Sequence, residues 1–347
     1  MKDIRDHSLL AHNTFGIDAR CRRYLEYASV DEAQTICRQF SATDYPLLII
    51  GEGSNLLLTA DYPATVITPE ARFDVQVVAE APDGETVDIE CWAGTTFDDV
   101  VAYAVDHGWH GAENLSLIPG EVGASAVQNI GAYGAEAQDI IVRVKAVEIA
   151  TGNVVEILAA DCEYGYRQSR FKHEWRDRYL ITSVVYRLSR RFSPRLDYGN
   201  IRATLTERGI DVPTAHELRQ AIIDIRHAKL PDPKVEGNAG SFFMNPIVSQ
   251  HHFEQLLALY PDMPHYRIDA DHVKIPAGWM IDQCGWRGRT VGHVGVHACQ
   301  ALVLVNRGGA TGAEVVALYQ TIQRDVKDRF GIDIHPEVNV KYPRIHP

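Results

Sequence analysis

The chain has 347 residues, of which 46% are hydrophobic and 23% are charged, and its formal net charge is −12 at pH 7. This length suits two or three domains with substantial cores, and the negative balance argues against a nucleic-acid partner, whose phosphates need a basic face. No apolar run is long enough to cross a bilayer or to form a signal peptide, and the six cysteines include no C-x-x-C pair. We therefore expect a cytoplasmic protein with free thiols, without a metal site and without membrane association.

Four Ser/Thr-x-x-Asp/Glu signals predict the starts of helices. They stand at Ser29–Glu32, Thr96–Asp99, Thr214–Glu217 and Thr311–Glu314. Apolar runs between them predict strands, including a hairpin across the turn TGN at 151–153 and a last strand at 334–340. Because strands and helices alternate irregularly, the pattern indicates the α+β class.

A strand predicted at 45–50 leads directly into GEGSN at 51–55. A strand followed by G-x-G is the beginning of the dinucleotide fingerprint G-x-G-x-x-G. The third glycine position is Leu56, however, and a second apolar strand follows where that fingerprint requires a helix. The segment therefore predicts a strand–turn–strand with exposed amides. Taken alone, it is more typical of a simple tight turn.

A second glycine-rich segment, 118–136, reads IPGEVGASAVQNIGAYGAE. Glycine permits unusual backbone angles and close approach, while serine, asparagine and glutamine supply small hydrogen-bonding groups. One such segment is usually a loop in which two backbones pack together. Two segments of this kind favour the sides of a cleft around a large phosphorylated cofactor.

The motifs of the whole chain resemble, in order and spacing, those of the UDP-N-acetylenolpyruvoylglucosamine reductase family. Beside the two glycine-rich segments they are YGYRQS at 164–169, KLPDPKVEGNAGSFFMNP at 229–246, AGWMIDQCG at 277–285 and HPEV at 335–338. The segment around Tyr266 resembles the longer subtype of the family. The resemblance extends from about residue 13 to residue 338.

The resemblance implies a vanillyl-alcohol-oxidase-like (PCMH-type) FAD-binding fold with a C-terminal α+β substrate domain. The expected segments are an N-terminal FAD-binding subdomain at 1–69, a second FAD-binding subdomain at 70–226 and a substrate-binding domain at 227–347. The glycine-rich backbone at 118–133 would then pack against the cofactor. We expect a monomer.

The implied activity is the reduction of UDP-N-acetylglucosamine enolpyruvate to UDP-N-acetylmuramate, a precursor of peptidoglycan. Non-covalent FAD would be the cofactor and NADPH the co-substrate. One alternative is an FAD-dependent oxidase of the same fold acting on a small alcohol or sugar, which would consume oxygen. The other is a non-catalytic protein that binds a nucleotide sugar, which would be colourless.

The resemblance assigns the catalytic roles to Ser241, Arg167 and Glu337. Ser241 would protonate carbon after hydride addition, and the other two would stabilise the developing charge. The implied cofactor-binding residues are Gly51, Glu52, Gly53, Ser54, Asn55, Pro119, Gly120, Gly123, Ser125, Gln128, Asn129, Gly131, Ala132, Tyr133 and Arg226. The implied substrate-binding residues are Tyr198, Lys229, Asn245, Tyr266 and Gln300. Lys229 has the clearest chemical rationale, since a diphosphate needs a cation in an acidic protein.

Overall fold

The structure is a computed structural model that describes residues 1–343, so 344–347, the end of the expected substrate domain, lie outside the described residues. The helices are α1 (Val30–Gln39), α2 (Phe97–Asp106), α3 (Val122–Gln128), α4 (Ile201–Glu207), α5 (Ala215–Lys229), α6 (Gln250–Leu259), α7 (Ala277–Gln283) and α8 (Gly312–Phe330). Within residues 1–343, no helix has both the length and the apolar character that a membrane span requires.

The strands are short and are spread along the whole described chain. They are β1 (Lys2–Ser8), β2 (Arg20–Tyr27), β3 (Leu47–Ile49), β4 (Leu56–Leu58), β5 (Tyr62–Pro69), β6 (Val75–Glu80), β7 (Thr86–Trp92), β8 (Gly131–Ala132), β9 (Ala135–Glu136), β10 (Ile141–Glu148), β11 (Val154–Leu158), β12 (Tyr179–Ser189), β13 (Gly237–Ser241), β14 (Ile247–Ser249), β15 (Tyr266–Arg267), β16 (His272–Lys274), β17 (Thr290–Val291), β18 (Val294–Val296), β19 (Val303–Asn306) and β20 (Asn339–Lys341).

The first of two compact units comprises Met1–His7, Cys21–Glu52 and Ala64–Arg226. One sheet has the order β1-β2-β5-β3, with β3 parallel to β5. The other is antiparallel, with the order β11-β10-β12-β7-β6. The middle strand β12 is apolar and buried over most of its length, as expected for a strand that is covered on both faces.

The second unit comprises Ser8–Arg20, Gly53–Pro63 and the described residues from His227 onwards. Its antiparallel sheets have the orders β13-β19-β18-β17 and β14-β16-β15, and β4 pairs in parallel with β20. Residues 8–20 and 53–63, expected in the first FAD-binding segment, therefore group with the C-terminal part of the chain. Which ligand each unit binds stays a prediction.

The predicted helix starts are confirmed. The hydroxyls of Ser29 and Thr311 each accept a hydrogen bond of 3.2 Å from the backbone N–H three residues later. Thr96 also stands directly before its helix, but its side chain makes no capping bond. The predicted hairpin is confirmed as β10 paired with β11, with Val147 opposite Val154.

Two segments differ from the expected structure. The glycine-rich segment contains the helix α3, since alanine, valine and glutamine are compatible with a helix and Asn129 ends it in the left-handed conformation, with φ of 45°. The last strand is only Asn339–Lys341, so HPEV precedes it. Pro336 lacks the N–H that a regular ladder needs, and it makes only an isolated bridge to Phe243.

The start of α8 packs directly on the end of β4. A Cβ atom on Gly312 would lie 2.1 Å from the Leu58 carbonyl oxygen, so the strand would have to move. We expect Gly312→Ala to lower the free energy of unfolding by about 1–3 kcal/mol through overpacking, although alanine is the better helix former. Urea unfolding, followed by fluorescence, measures this change.

The matched control is Ala317→Gly, at an exposed position of the same helix. It should lose about 1 kcal/mol through helix propensity alone. A higher urea midpoint for Gly312→Ala than for the natural protein would mean that propensity outweighs the contact with β4.

Candidate active site

Two predicted cofactor segments contact each other in the first unit. The Gly120 N–H donates a hydrogen bond to the Glu52 carboxylate, with 3.0 Å between N and Oε2. A Cβ atom on Gly51 would lie 2.7 Å from Glu121 Oε2. The structure therefore brings the two segments together, and Gly51 leaves room for the end of the Glu121 side chain.

Other glycines of these segments also lie close to neighbouring atoms of the protein, which leave little room for a side chain. In the second unit, a Cβ atom on Gly53 would lie 2.1 Å from the His12 carbonyl oxygen, and φ at Gly53 is +74°. In the first unit, a Cβ atom on Gly123 would lie 3.2 Å from that of Ala93. Close packing within the chain therefore gives these positions a reason to be glycine beside the predicted contact with a cofactor, which stays a prediction.

Ser125 and Asn129 use their side chains to hold α3 in place. The Ser125 hydroxyl is 1% exposed and lies 2.6 Å from the Tyr186 hydroxyl. Asn129 Nδ2 donates a hydrogen bond of 2.8 Å to the Gly165 carbonyl. Gln128 differs, because its Nε2 is covered and has no hydrogen-bond partner among residues 1–343.

Arg167, a predicted catalytic residue, lies beside the short hairpin of β8 and β9. Its Nη2 donates a hydrogen bond of 2.8 Å to the carbonyl of Gly131, which forms β8 together with Ala132. The φ angle of Arg167 is +55°, in the left-handed region that costs a non-glycine residue energy. Strain of this kind is typical of functional sites.

Arg226 lies close to Arg167 and Tyr133, two other predicted site residues. Desolvation lowers the pKa of the Arg226 guanidinium, and the charge of Arg167 adds to the lowering. The charges of Tyr133 and Asp98 oppose it, and so does a hydrogen bond with Tyr133. Arg226 Nε also donates to the Leu117 carbonyl, at 3.2 Å. No carboxylate in the described part of the chain forms an ion pair with this largely desolvated cation, and Asp98, whose charge acts on it, is itself paired with Arg219.

Asp98 holds the segment before the second glycine-rich motif. It accepts two hydrogen bonds from Arg219, at 2.6 and 3.0 Å, and one from the Leu117 N–H, at 2.5 Å. Leu117 has a φ angle of +57°, which this bond stabilises. Sequence reasoning missed Asp98 and Leu117, because neither stands in a recognisable motif.

Tyr198 and Pro119 are exposed predicted residues of this unit, as is Glu52. Tyr198 is 57% exposed, and a Cβ atom on Gly134 would lie 3.5 Å from its Cβ. Pro119 directly precedes Gly120. Tyr198 therefore borders the hairpin that carries Tyr133.

The turn from Gly53 to Asn55 belongs to the second unit, and Ser54 lies between them. The Asn55 carbonyl accepts a hydrogen bond of 3.1 Å from the Asn339 backbone and one of 3.2 Å from its side chain. The turn is thereby tied to β20.

Ser241, the predicted proton donor, is the last residue of β13. Gly240 has a φ angle of +71°, and the register with β19 shifts between Asn238 and Ser241. Such a bulge re-aims the side chain that follows it. The Ser241 hydroxyl makes no hydrogen bond to any residue in the described range.

Glu337 is brought beside Ser241 by backbone pairing. The Glu337 N–H donates to the Phe242 carbonyl at 2.8 Å, and the Met244 N–H donates to the His335 carbonyl at 2.9 Å. Phe242 is fully buried and anchors the pair of segments. Two of the three predicted catalytic residues therefore lie on neighbouring backbone segments of one unit.

Asn245 and Gln300 both lie at the start of α7. Asn245 Oδ1 accepts a hydrogen bond of 2.9 Å from the Ala277 N–H. Gln300 Oε1 accepts one of 3.3 Å from Leu302, and a Cβ atom on Gly278 would lie 3.2 Å from it. The structure brings these two predicted substrate residues to one helix end.

Tyr266 and Lys229 lie on the surface of the second unit. Tyr266 is 57% exposed, and Lys274 Nζ lies 6.0 Å from its ring centre. Lys229 is the exposed last residue of α5. Within residues 1–343, neither side chain forms a hydrogen bond or an ion pair with the Ser241 segment.

Glu121 was not predicted as a site residue. Its side chain is buried, and neither carboxyl oxygen has a hydrogen-bond partner among residues 1–343. Burial raises the pKa of this carboxyl to about 8, and the charges of Glu52 and Glu26 add to the increase. The sequence signal was an acidic residue within a motif rich in glycine and alanine.

The residues of the first unit fit a phosphorylated aromatic cofactor. Arg226 provides positive charge that no carboxylate of the described chain neutralises by pairing, and Gln128 Nε2 lacks an acceptor among residues 1–343. Tyr133 lies at the same place and has a phenol whose pKa is raised by burial. A ligand that combines phosphate oxygens with a flat ring system would satisfy this set of donors and surfaces.

Comparisons with known proteins agree with this arrangement. A family model described as an FAD binding domain matches residues 22–158, and one described as the C-terminal domain of UDP-N-acetylenolpyruvoylglucosamine reductase matches residues 232–341. The crystal structure of UDP-N-acetylenolpyruvylglucosamine reductase from Thermus caldophilus is 21% identical, with a TM-score of 0.65 over 98% of both chains. The predicted α+β class, with an FAD-binding domain and a separate C-terminal domain, is confirmed.

Two relatives named UDP-N-acetylenolpyruvoylglucosamine reductase match almost the full length. The one from Bacteroides fragilis is 54% identical over 336 residues, which are 96% of this chain and 98% of its own. The one from Burkholderia ambifaria is 45% identical over 336 residues, which are 96% of this chain and 95% of its own. The chain therefore belongs to the UDP-N-acetylenolpyruvoylglucosamine reductase family.

Proposed function

We propose that this chain is an oxidoreductase that uses non-covalent FAD and NADPH to reduce UDP-N-acetylglucosamine enolpyruvate to UDP-N-acetylmuramate. Family membership and the matched FAD binding domain support the reaction class. The observation that carries the proposal is the backbone pairing that sets Glu337 beside the Ser241 segment. The cytoplasmic location and the monomeric state stay predictions.

The cofactor would lie against the first unit. The side chains of Arg226 and Gln128 would hold its phosphates and ring system. Bound there, FAD would supply the hydride chemistry that no side chain of this protein can supply. Gly51 and Glu52, which belong to the same unit, would contribute further amides.

Ser241 would give a proton to carbon. Its hydroxyl is not engaged by a described residue, and the bulge at Gly240 sets its direction. When negative charge spreads onto the substrate carboxylate, the neighbouring carbon becomes basic enough to accept a proton from a hydroxyl. A positioned proton donor contributes about 10²–10⁴-fold to a rate.

Arg167 and Glu337 would act on the charge that develops before protonation. The guanidinium of Arg167 is held by its bond to the Gly131 carbonyl and by a strained backbone, so little reorganisation is needed. Glu337 assists an anion only as a neutral acid or beside a cation. Its place next to Phe242 supports a role near Ser241.

The nucleotide part of the substrate would be bound by exposed groups. Lys229 and Tyr266 are accessible and could contact diphosphate and uracil. Tyr198 borders the Tyr133 hairpin. Asn245 and Gln300 would act from the start of α7, where Asn245 keeps its Nδ2 donors for a ligand.

The first test separates the two half-reactions. We expect Ser241→Ala to leave flavin reduction by NADPH within about twofold, and to slow flavin reoxidation by the enolpyruvyl substrate about 10²–10⁴-fold, because only the second step needs the proton. Anaerobic stopped-flow absorbance at the flavin band measures both rates. Ser241→Cys, which keeps a proton on the side chain, should recover part of the second rate.

Equal losses in the two half-reactions would contradict the role of Ser241. Oxygen consumption during turnover of the natural protein would favour an oxidase. A purified protein without a flavin band, even after incubation with FAD, would favour the non-catalytic binding protein.

The second test concerns the desolvated cation. We expect Arg226→Met to weaken FAD binding to the apoprotein about 10–100-fold, since a hydrogen bond to a charged group contributes about 1.5–3 kcal/mol. Arg202→Met removes an equal charge from an exposed position, 64% exposed, and should change the dissociation constant less than about twofold. Fluorescence titration gives both constants. Similar constants for the two variants would exclude a direct role of Arg226.

A further inference from the structure

Glu121 occupies the junction of the two glycine-rich segments of the first unit. It directly follows Gly120, whose N–H binds Glu52, and its Oε2 packs against Gly51. The residue is only 8% exposed. Oε2 is covered by the protein and has no hydrogen-bond partner among residues 1–343. Oε1 is not covered in this way, and no described residue forms a hydrogen bond with it. The carboxyl group therefore has one enclosed oxygen and one oxygen that can meet a ligand.

The charges around Glu121 favour its neutral form. Glu52 faces it from the turn after β3 and Glu26 faces it from β2, and no lysine or arginine of the described chain forms an ion pair with it. Glu26 is itself engaged by Lys2, at 2.6 Å, and by the Tyr24 hydroxyl, at 3.1 Å. The other titratable groups that face Glu121 are the phenols of Tyr24 and Tyr27 on β2, whose pKa values are raised mainly by burial.

A neutral carboxyl group differs from a carboxylate in the ligand that it prefers. It donates a hydrogen bond through O–H, whereas a carboxylate only accepts. A diphosphate offers only acceptor oxygens and carries negative charge, so it binds beside a neutral acid and is repelled by an ionised one. The turn 51–52 and Gly120, which meet at Glu121, belong to the segments assigned above to the cofactor.

We propose that Glu121 is held as a neutral carboxylic acid and donates a hydrogen bond from Oε1 to a diphosphate oxygen of bound FAD, so that cofactor binding depends on one proton. This inference rests on the proposed function, since it requires that the chain binds FAD. It adds a residue that no motif assigned to the cofactor.

The sign of the pH dependence follows from the direction of the shift. The carboxyl group in the apoprotein titrates with a pKa of about 8, and a hydrogen bond to an anion raises that value further in the complex. Below pH 7 both forms hold the proton, and the FAD dissociation constant is independent of this group. Above pH 8 the apoprotein must take up a proton to bind, so the dissociation constant should rise about tenfold between pH 7 and pH 9.

The experiment is a titration of the full-length apoprotein with FAD at pH 6, 7, 8 and 9, followed by flavin fluorescence. Calorimetry at pH 8 in buffers of different ionisation enthalpy should detect an uptake of about half a proton per FAD. Glu121→Gln keeps an N–H donor but cannot titrate, so its dissociation constant should stay level from pH 7 to pH 9 without proton uptake. Glu121→Ala should bind several-fold more weakly than Glu121→Gln at pH 7.

The controls distinguish titration of Glu121 from a general loss of negative charge and from a folding defect. Glu207→Gln removes one exposed carboxylate of the same unit and should keep the natural pH dependence. Circular dichroism of each apoprotein checks folding, and a residue with a purely structural role would change the thermal midpoint but not the pH profile of binding. A level profile for the natural protein, or equal binding by Glu121→Ala and Glu121→Gln, overturns the inference while leaving the FAD-binding proposal intact. No FAD binding at any pH overturns both.

Discussion

A hydrogen bond between the Gly120 amide and the Glu52 carboxylate, 3.0 Å long, joins the two segments on which the first unit's proposed cofactor surface depends. Beside this contact, Gly51 lacks a side chain and leaves space for the Glu121 carboxyl group. Three acidic groups, Glu26, Glu52 and Glu121, thereby come to one place in a protein that must attract an anion. Two features reduce the repulsion of an anion. Arg226 has no ion-pair partner in the described chain, and the surroundings of Glu121 favour its protonated form. The charges that surround Glu121 are therefore set by the way in which the two backbone segments pack together.

In the second unit, geometry rather than charge organises the proposed chemistry. Gly240 turns the chain within β13, and the segment of Glu337 pairs with the residues that follow Ser241. The buried rings of Phe242 and Phe243 hold this pair of segments in place. The bulge and the paired segment fix the backbone from which the Ser241 side chain projects, and a fixed position favours proton transfer.

Much of the secondary structure follows from local patterns in the sequence. Capping residues such as Ser29 and Thr311 act within one turn of their helices, so their effect is visible without the fold. The partners of glycines are different, because the atoms that exclude a side chain at Gly53 belong to His12, some forty residues earlier. The predicted reasons for these glycines were therefore incomplete, and α3 was hidden in a motif that looked like a loop. The site residues were predicted from the family resemblance. The raised pKa of Glu121 and the lowered pKa of Arg226 depend on neighbours that are distant in the sequence, so the sequence alone could not predict them.

The parallel pair of β4 and β20 has a consequence for how the protein is made. Leu57 of β4 lies opposite Val340, so the ribosome makes the partner of this strand long after the strand itself. The early segments 8–20 and 53–63 belong to the second unit, and they must wait for it while the first unit has all of its residues by Arg226. During translation the apolar residues of these segments therefore lack their final partners, and completion of the second unit is the late, non-local step of folding.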